Sequence, residues 1–236
     1  IHVIATASLR NAINKKEFIK KCKNKAGLLI SIISGEEEAS LIYEGIKNNI
    51  KKIKNFVIID VGGASTEFII VKNENVVFKK SYSFGSELML QKFTPSNPIK
   101  KEEIDIIKIY FEKELKGLIE SLNKYNIQTI LGSSGSFNCI ANIQNELNKT
   151  RHYQKIITDF YKKNISKKIL TRSIENREKI KGLSKMRSEN IIITIILINF
   201  LLEKKIKNIY TTTFSLKEGV LYNLLNKKKK WQESLL

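Results

Sequence analysis

The sequence predicts an α/β fold built around a mixed β-sheet. Short apolar runs of strand length alternate with longer segments of helical periodicity, as in proteins whose helices pack on a sheet. Neighbouring strands near the middle of the chain are joined by tight turns, so they must run antiparallel. Other strands are separated by helical segments, which permits parallel pairing. A sheet with both kinds of neighbour is mixed rather than purely parallel.

The beginning of the chain is predicted to form a strand–helix–strand unit. Residues 3–5 have the pattern of a strand end, and a helix over residues 8–21 follows, with Thr6 or Ser8 as its N-cap. The apolar run 28–33 has the length of a buried parallel strand.

A second helix is predicted to begin after Ser34. Glu37 stands three residues later, which is the spacing of a capping box, in which each of the two residues bonds the other's backbone N–H. Apolar side chains then recur at helical spacing through Ala39, Ile42, Tyr43, Ile46 and Ile50. The helix is predicted to end in the solvated basic run 51–54, where we also expect a domain boundary.

Three strands are then predicted to be joined by two tight turns. The strands cover residues 56–59, 66–71 and 76–82. The first turn, residues 61–65, contains two glycines, and the second, residues 72–75, contains two asparagines. We therefore expect each strand to pair antiparallel with the next.

The rest of the chain is predicted to alternate helices with strands. Helices are predicted at 86–92, 102–123, from the 132–135 loop to 147, within 159–188, at 191–202 and at 215–226, and strands at 129–131 and 209–211. The stretch 191–202 is apolar but shorter than the roughly 20 residues of a membrane-spanning helix, so it predicts a buried core helix and no membrane partner. Residues 227–230 are predicted to be a solvated basic tail.

The composition excludes a disordered or collagen-like chain. Of the 236 residues, 42% are hydrophobic and only 2 are proline. Lys and Arg number 42 against 23 Asp and Glu, a net charge of +19 that favours polyanionic partners. Codon drift in an AT-rich genome explains the same surplus, and no nucleic-acid-binding motif accompanies it. We therefore expect no specific nucleic acid as a partner.

Two cysteines, Cys22 and Cys139, are too few for a disulfide framework or a Cys-rich metal site. The expected location is therefore a reducing cytoplasm. The chain begins Ile-His-Val and carries no secretory signal pattern. None of these patterns encodes an oligomeric state, and a homodimer is one open alternative.

The segment 60–67, Asp-Val-Gly-Gly-Ala-Ser-Thr-Glu, is the most informative for chemistry. An apolar strand ends in Asp60, two glycines allow backbone N–H groups to approach an anion, and the next strand begins with Glu67. A tight hairpin brings the two carboxylates together at one edge of the sheet, as a Mg²⁺–phosphate site requires. The alternative from the residues alone is a hairpin with a solvated acidic rim.

A second glycine loop, Gly132-Ser133-Ser134-Gly135, also stands between a strand and a helix, where N–H groups can bind an anion. Many strand-to-helix turns look like this, so the loop alone has little specificity.

Glu38 borders the apolar stripe of its helix, so burial can raise its pKa and make it a candidate general base. The alternative is a carboxylate with a structural role and no part in catalysis. Arg10 is a candidate phosphate ligand, or else an exposed helix arginine.

Several of these segments together resemble the exopolyphosphatase/guanosine pentaphosphate phosphohydrolase family of the actin–hexokinase–Hsp70-like superfamily. The similar strings are Ala-Thr-Ala-Ser-Leu-Arg-Asn-Ala at 5–12, Ile-Ser-Gly-Glu-Glu-Glu-Ala at 33–39, the segment 60–67, Ser-Phe-Gly at 83–85, the loop at 132–136 and Leu-Lys-Glu-Gly-Val-Leu at 216–221. They stand in the family's order and span nearly the whole chain.

The resemblance implies two actin-like (ribonuclease H-like) domains and Mg²⁺-dependent hydrolysis of the terminal phosphoryl group of polyphosphate or guanosine pentaphosphate. It implies that residues 1–52 are the last part of domain I and that 53–236 form domain II. Glu38 would activate the attacking water, and Asp60 and Glu67 would organise the metal. The phosphate-binding residues that it implies are Arg10, Gly62, Gly63, Ser65, Thr66, Gly132, Ser133 and Gly135.

The sequence departs from the family pattern in three ways. The family's first phosphate loop, Asp-x-Gly-Ser-Asn-Ser, is absent from these 236 residues, Ala64 replaces a third glycine, and Lys217 replaces an arginine. We therefore expect a fragment or a truncated product with little turnover by itself. The alternative function is a noncatalytic polyphosphate- or nucleotide-binding module. Because these 236 residues contain no helical output domain after residue 226, the resemblance is to the short two-domain branch of the family, which we state as an expectation.

Overall fold

A computed structural model describes residues 1–50, 53–145 and 152–233. The strands are β1 (Val3–Ala5), β2 (Ile30–Ile32), β3 (Asn55–Val61), β4 (Thr66–Lys72), β5 (Asn75–Tyr82), β6 (Thr129–Ser133), β7 (Tyr153–Ile156) and β8 (Asn208–Thr212). The α-helices are α1 (Ala7–Asn11), α2 (Lys15–Ala26), α3 (Gly35–Lys47), α4 (Ser86–Phe93), α5 (Lys101–Glu114), α6 (Lys116–Tyr125), α7 (Ser134–Gln144), α8 (Thr158–Phe160), α9 (Lys167–Leu170), α10 (Ile174–Arg177), α11 (Ile191–Leu202) and α12 (Leu216–Glu233). A π-helical segment, Tyr161–Ser166, and a 3₁₀ turn, Lys185–Arg187, complete the list.

The larger sheet has six strands in the order β5-β4-β3-β6-β8-β7. β3, β4 and β5 pair antiparallel in sequence, whereas β6 and β8 lie parallel to β3 on its other side. β7 closes that edge antiparallel to β8. This confirms the predicted mixed sheet. A separate sheet contains only β1 and β2, which pair in parallel.

Both predicted tight turns form. In the β4–β5 turn, Asn73 and Glu74 have φ of 47° and 67°, a left-handed pair that matches the twist of a two-residue hairpin. In the β3–β4 turn, the N–H of Gly62 donates to the carbonyl of Ser65 at 2.9 Å. The turns fix the register, and the register sets which side chains share a face.

The six-stranded sheet is covered on both faces. The sequences of β3 and β4 are therefore continuously apolar, with no alternation of apolar and polar residues. On one face, Val57 and Ile59 belong to the large core that includes α11. On the other face, Ile58 and Ile69 pack with Ala39 and the other apolar residues of α3. α3 therefore rests on the larger sheet. The predicted boundary at 52/53 adjoins residues outside the described ranges and stays a prediction.

The helix predicted at 191–202 has these bounds, and ten of its twelve residues are buried. Within the part of the chain that the structure describes, no helix has both the length and the apolar character needed to cross a bilayer.

Two predicted helices are each divided in the structure. The helix predicted at 8–21 is α1 followed by α2, because Ala12 is extended with ψ of 131°. Thr6 occupies the N-cap position of α1 without a side-chain cap bond. The helix predicted at 102–123 is α5 followed by α6, and the break falls at the fully buried Leu115.

Three other sequence expectations were wrong. The strand predicted in 28–33 is shorter and half-exposed, since Ser31 faces solvent and its neighbours are only partly covered. β7 was not predicted, because an edge strand of four residues that contains an exposed lysine has no apolar run. The last helix was predicted to end at residue 226, but α12 continues to Glu233; the solvation predicted for residues 227–230 stays a prediction, because their side chains lie outside the described part of the chain.

Candidate functional site

The site is organised by two carboxylates at the end of the β3–β4 hairpin. Asp60 and Glu67 are directly opposite each other in the antiparallel register. Directly paired residues of antiparallel strands project from the same face, with their Cβ atoms roughly 5 Å apart. Both residues are buried, so the solvated acidic rim that the sequence left open does not form.

Glu67 is almost fully buried on β4 and has a hydroxyl partner on the neighbouring strand. Its Oε1 accepts a hydrogen bond of 2.7 Å from the hydroxyl of Ser81 on β5. Burial, and after it the negative charge of Glu38, raise the pKa of Glu67 to about 8, while the hydroxyls of Ser81 and Ser65 oppose the shift. With this pKa the Glu67 carboxyl group is largely protonated at neutral pH, so a cation that binds it must displace the proton.

Asp60 is held from the β6 side of the sheet. The hydroxyl of Ser133 can donate to Asp60 Oδ2 at 3.1 Å or to the carbonyl of Phe214 at 3.0 Å. Burial raises the pKa of Asp60, and the nearby hydroxyls of Ser134 and Ser133 and the charge of Arg187 lower it. Ser134 Oγ is itself buried near this carboxylate without forming a hydrogen bond of ordinary geometry.

Glu38 comes to the same place from the first turn of α3. Its side chain is only 10% exposed, and its Oε2 lies 3.4 Å from a guanidinium nitrogen of Arg10. Burial raises the pKa of Glu38, which the charge of Arg10 partly offsets and that of Asp60 reinforces. The mutual effects on pKa place Glu38, Asp60 and Glu67 within one electrostatic neighbourhood.

Only one of the two hydrogen bonds predicted for the capping box of Ser34 and Glu37 forms. The Ser34 side chain accepts from the N–H of Glu37 at 3.1 Å, which is one half of a capping box. Within residues 1–50, no return bond joins the Glu37 carboxylate to the Ser34 N–H. Glu37 instead lines a groove beside β1 and β2, away from the carboxylate pair.

Arg10 is part of the site but is not free. Besides its contact with Glu38, its Nη1 donates to the carbonyl of Ile33 at 2.6 Å. Its side chain is 24% exposed, which leaves part of the guanidinium accessible to an anion. The alternative of a solvated helix arginine is excluded by these two contacts.

The turn between the carboxylates is fixed from behind by α4. The first N–H groups of α4, from Ser86 and Glu87, donate to the carbonyls of Gly62 and Gly63 at 2.9 and 3.0 Å. Gly85 is required by close approach, since a Cβ there would lie 2.4 Å from the Gly63 backbone. With both carbonyls engaged, the turn can offer an incoming anion only its outward N–H groups.

Two expected phosphate ligands of this turn already use their side-chain hydroxyl groups within the protein. Thr66 is fully buried, and its hydroxyl donates to the carbonyl of Phe84 at 2.7 Å, so its side chain holds the turn rather than reaching solvent. Ser65 is buried too, and its hydroxyl acts on the Glu67 carboxylate. Ala64 has no left-handed φ, so it replaces a glycine there without backbone strain.

The second glycine loop differs from the expectation. Gly132 and Ser133 are buried residues of β6 rather than an open loop. The ring of Phe137 packs directly on Gly132. Gly135 lies in the first turn of α7, and the Arg187 guanidinium occupies the space where a Cβ of Gly135 would lie. Arg187 thus places a cation beside this loop, and the anion contacts predicted for Gly132, Ser133 and Gly135 stay predictions.

Arg187 is the site residue that the sequence analysis missed. It ends the 3₁₀ turn, donates to Ser136 Oγ at 3.4 Å and lowers the pKa of Asp60. No spacing relates it to the 60–67 segment, so only the packing of the turn on α7 reveals it.

The donor set fits a magnesium ion held by few protein ligands. Asp60 and Glu67 supply hard carboxylate oxygens, and Mg²⁺ usually takes one or two such groups and completes its shell with water and phosphate oxygens. Among the described residues, no three His, Cys, Asp or Glu side chains are grouped closely enough to enclose an ion by themselves. A site open to water and substrate is therefore the kind that these residues can form.

Comparison with known proteins agrees with this arrangement. An exopolyphosphatase from Cytophaga hutchinsonii ATCC 33406 is 26% identical in sequence and has a TM-score of 0.88, over 96% of this chain and 75% of that one. The Aquifex aeolicus member of the Ppx/GppA family has 24% identity and a TM-score of 0.81, over 96% and 74%. An exopolyphosphatase-like protein has 19% identity and a TM-score of 0.83, over 94% and 74%. The last two similarities show the fold, and all three support the predicted α/β class.

The sequence itself matches one family model along almost its whole length. The model describes the Ppx/GppA phosphatase family, and the match covers residues 1–228. The segments 5–12, 33–39 and 60–67 all lie within this range, so the residues of the candidate site are part of the match. The chain belongs to the Ppx/GppA phosphatase family.

Proposed function

We propose that this chain carries a site for Mg²⁺-dependent hydrolysis of the terminal phosphoryl group of polyphosphate or guanosine pentaphosphate, in the cytoplasm. One observation carries the proposal: Glu38, Asp60 and Glu67 come from separate segments and converge beside a glycine turn. A pure binding module needs no buried carboxylate beside its phosphate loop, because such a group repels the ligand.

The roles follow from the positions. Glu38 accepts a proton from the attacking water and orients it, which matters more than raw basicity in phosphoryl transfer. Asp60 and Glu67 would hold Mg²⁺, which supplies charge neutralisation for the phosphoryl oxygens. Arg10 and Arg187 flank these acids and stabilise negative charge on the substrate.

The environment of Glu38 suits a general base. Burial raises its pKa towards neutral pH, and the charge of Arg10 limits this shift. The carboxylate form therefore stays available to accept a proton. The rate of phosphate release is expected to rise with pH through this raised pKa.

A pair of neighbouring substitutions tests the proposal. In a protein to which the segment with the first phosphate loop has been restored, Glu38→Gln, nearly isosteric, is expected to reduce single-turnover release of phosphate from tripolyphosphate by about 10²–10⁴-fold while leaving binding intact. Glu37→Gln is the matched control, because its side chain faces the groove beside β1 and β2. Wild-type turnover in Glu38→Gln, or loss of turnover in Glu37→Gln alone, contradicts the assigned roles.

The basic surplus is proposed to aid capture of long substrates rather than to select them. Each phosphate contact releases counterions, so added salt should weaken binding of polyphosphate more steeply than binding of guanosine pentaphosphate. Titrations of both ligands between low and physiological salt measure the two slopes. Equal slopes would contradict an extended basic track.

A further inference from the structure

Glu87 places a negative charge directly against the glycine turn. A Cβ built on Gly63 would lie 2.8 Å from Glu87 Oε2 and 3.2 Å from Oε1, so the carboxylate occupies the space beside the Gly63 backbone. The turn in question is the one between Asp60 and Glu67, where the proposed function puts the phosphate. A phosphate that approaches this turn therefore comes close to the negative charge of Glu87.

The position of this carboxylate is fixed by the backbone. The N–H of Glu87 donates to the carbonyl of Gly63 at 3.0 Å, and the N–H of Leu88 donates to the same oxygen at 3.2 Å. The base of the side chain is thereby tied to the turn. Its tip is exposed and, in the described parts of the chain, takes part in no hydrogen bond or salt bridge. Among the described residues, no basic group lies within salt-bridge distance of the Glu87 carboxylate.

A glutamate in the first turn of a helix is commonly explained by the helix dipole. That explanation accounts for the residue type at the start of α4 but not for a carboxylate that lies on the neighbouring turn instead of in solvent. Like charges a few ångströms apart repel even in a water-like dielectric, and every phosphoryl group of such a chain carries at least one negative charge. A divalent cation bound to the phosphate cancels this repulsion.

We propose that Glu87 is a specificity-determining residue that makes the turn reject metal-free phosphate chains and accept those that carry a divalent cation. This inference rests on the proposed function. It requires no direct bond from Glu87 to the metal, only that its charge acts on the ligand at the Gly63 turn. The ligand class is an inorganic polyphosphate or nucleotide phosphate complexed with Mg²⁺.

The experiment is a calorimetric titration of tripolyphosphate into the wild-type protein and Glu87→Gln, once with EDTA and once with excess Mg²⁺. Without metal, Glu87→Gln is expected to bind about tenfold more tightly than wild type. With Mg²⁺, the two affinities should agree within about twofold. The control is Glu74→Gln, which removes the same charge from the β4–β5 turn, roughly 20 Å away along β4.

Each outcome decides the matter. Equal affinities without metal, or the same gain in Glu74→Gln, would overturn the inference, as would weaker binding by Glu87→Gln in Mg²⁺, which would make Glu87 a metal ligand. A lowered Tm with unchanged affinities would leave only the helix-dipole role and overturn it as well. If no variant binds tripolyphosphate in Mg²⁺, the proposed function fails too; if wild type binds and Glu87→Gln matches it in EDTA, only this inference fails.

Discussion

The two sheets of the molecule differ in how deeply they are buried. In β3, every residue except Asn55 is buried, and β4 is nearly the same. In β1 and β2 no residue is fully buried, and α2 beside them has no buried residue at all. A two-stranded sheet is marginal by itself, whereas a sheet covered on both faces forms a core.

The two members of the Arg10–Glu38 ion pair belong to these two differently buried regions. Glu38 lies on α3, whose apolar face packs on the large sheet through Ile42 and Ile46. Arg10 lies on α1, a five-residue helix with one buried residue, Ala7. The proposed general base is thus held by the larger core, and its arginine partner depends on the smaller unit.

The largest expected effect is in the large sheet. Ile58 is fully buried between β3 and α3, so Ile58→Ala should lower the free energy of unfolding by about 2–5 kcal/mol. Ile58→Val, which removes one methyl group, should lower it by about 0.5–1.5 kcal/mol. Urea denaturation measures both values, and a loss under about 1 kcal/mol for Ile58→Ala would contradict the ranking of the two sheets.

The next effect concerns pH. Burial raises the pKa of Glu67 from 4.5 to about 8, so between these values the folded protein binds a proton that the unfolded chain does not. The free energy of unfolding therefore falls as pH rises from about 4.5 to about 8, by a few kcal/mol at about 1.4 kcal/mol per pKa unit.

Glu67→Gln removes this proton and keeps an acceptor for Ser81. Its free energy of unfolding should change less between pH 5 and pH 9 than that of the wild type, in urea titrations without metal. Parallel pH profiles for the two proteins would show that Glu67 titrates as it does in water.

A smaller effect is expected at Arg187, which lies between Gly135 and Ser136 near Asp60. Arg187→Gln should weaken binding of tripolyphosphate in Mg²⁺ by about tenfold, because one flanking cation is lost. Arg172→Gln is the control, since Arg172 is exposed. Equal losses in the two variants would indicate a general charge effect rather than a site effect.

The smallest effect is expected in the N-terminal unit. Phe18 on α2 is 48% exposed, so Phe18→Ala should change the free energy of unfolding by no more than about 0.5 kcal/mol. The same urea titration applies. A loss comparable to that of Ile58→Ala would mean that the β1–β2 unit shares the large core, and the comparison between the sheets would break.

Much of the site was predictable because it lies in short stretches of sequence. The turn between β3 and β4 fixes the register of the two strands, and this register pairs Asp60 with Glu67. The break between α1 and α2 was not predictable, because lysine-rich helical periodicity continues across it. The hydrogen bonds of the Thr66 and Ser133 hydroxyl groups were not predictable either. Their acceptors lie on segments that are distant in sequence, so only the tertiary structure reveals them.

The sequence by itself determined the α/β class, the hairpins, the buried helix α11 and the pairing of the two carboxylates, since each depends on local periodicity and turn chemistry. The tertiary structure alone decided that Arg187 lies against Gly135 and that Glu87 lies against Gly63. Neither contact has a sequence pattern, because a glycine without a side chain accepts any group that packing brings to it. The charges that surround the phosphate turn are therefore set by how distant segments pack, while the turn itself is set by eight consecutive residues.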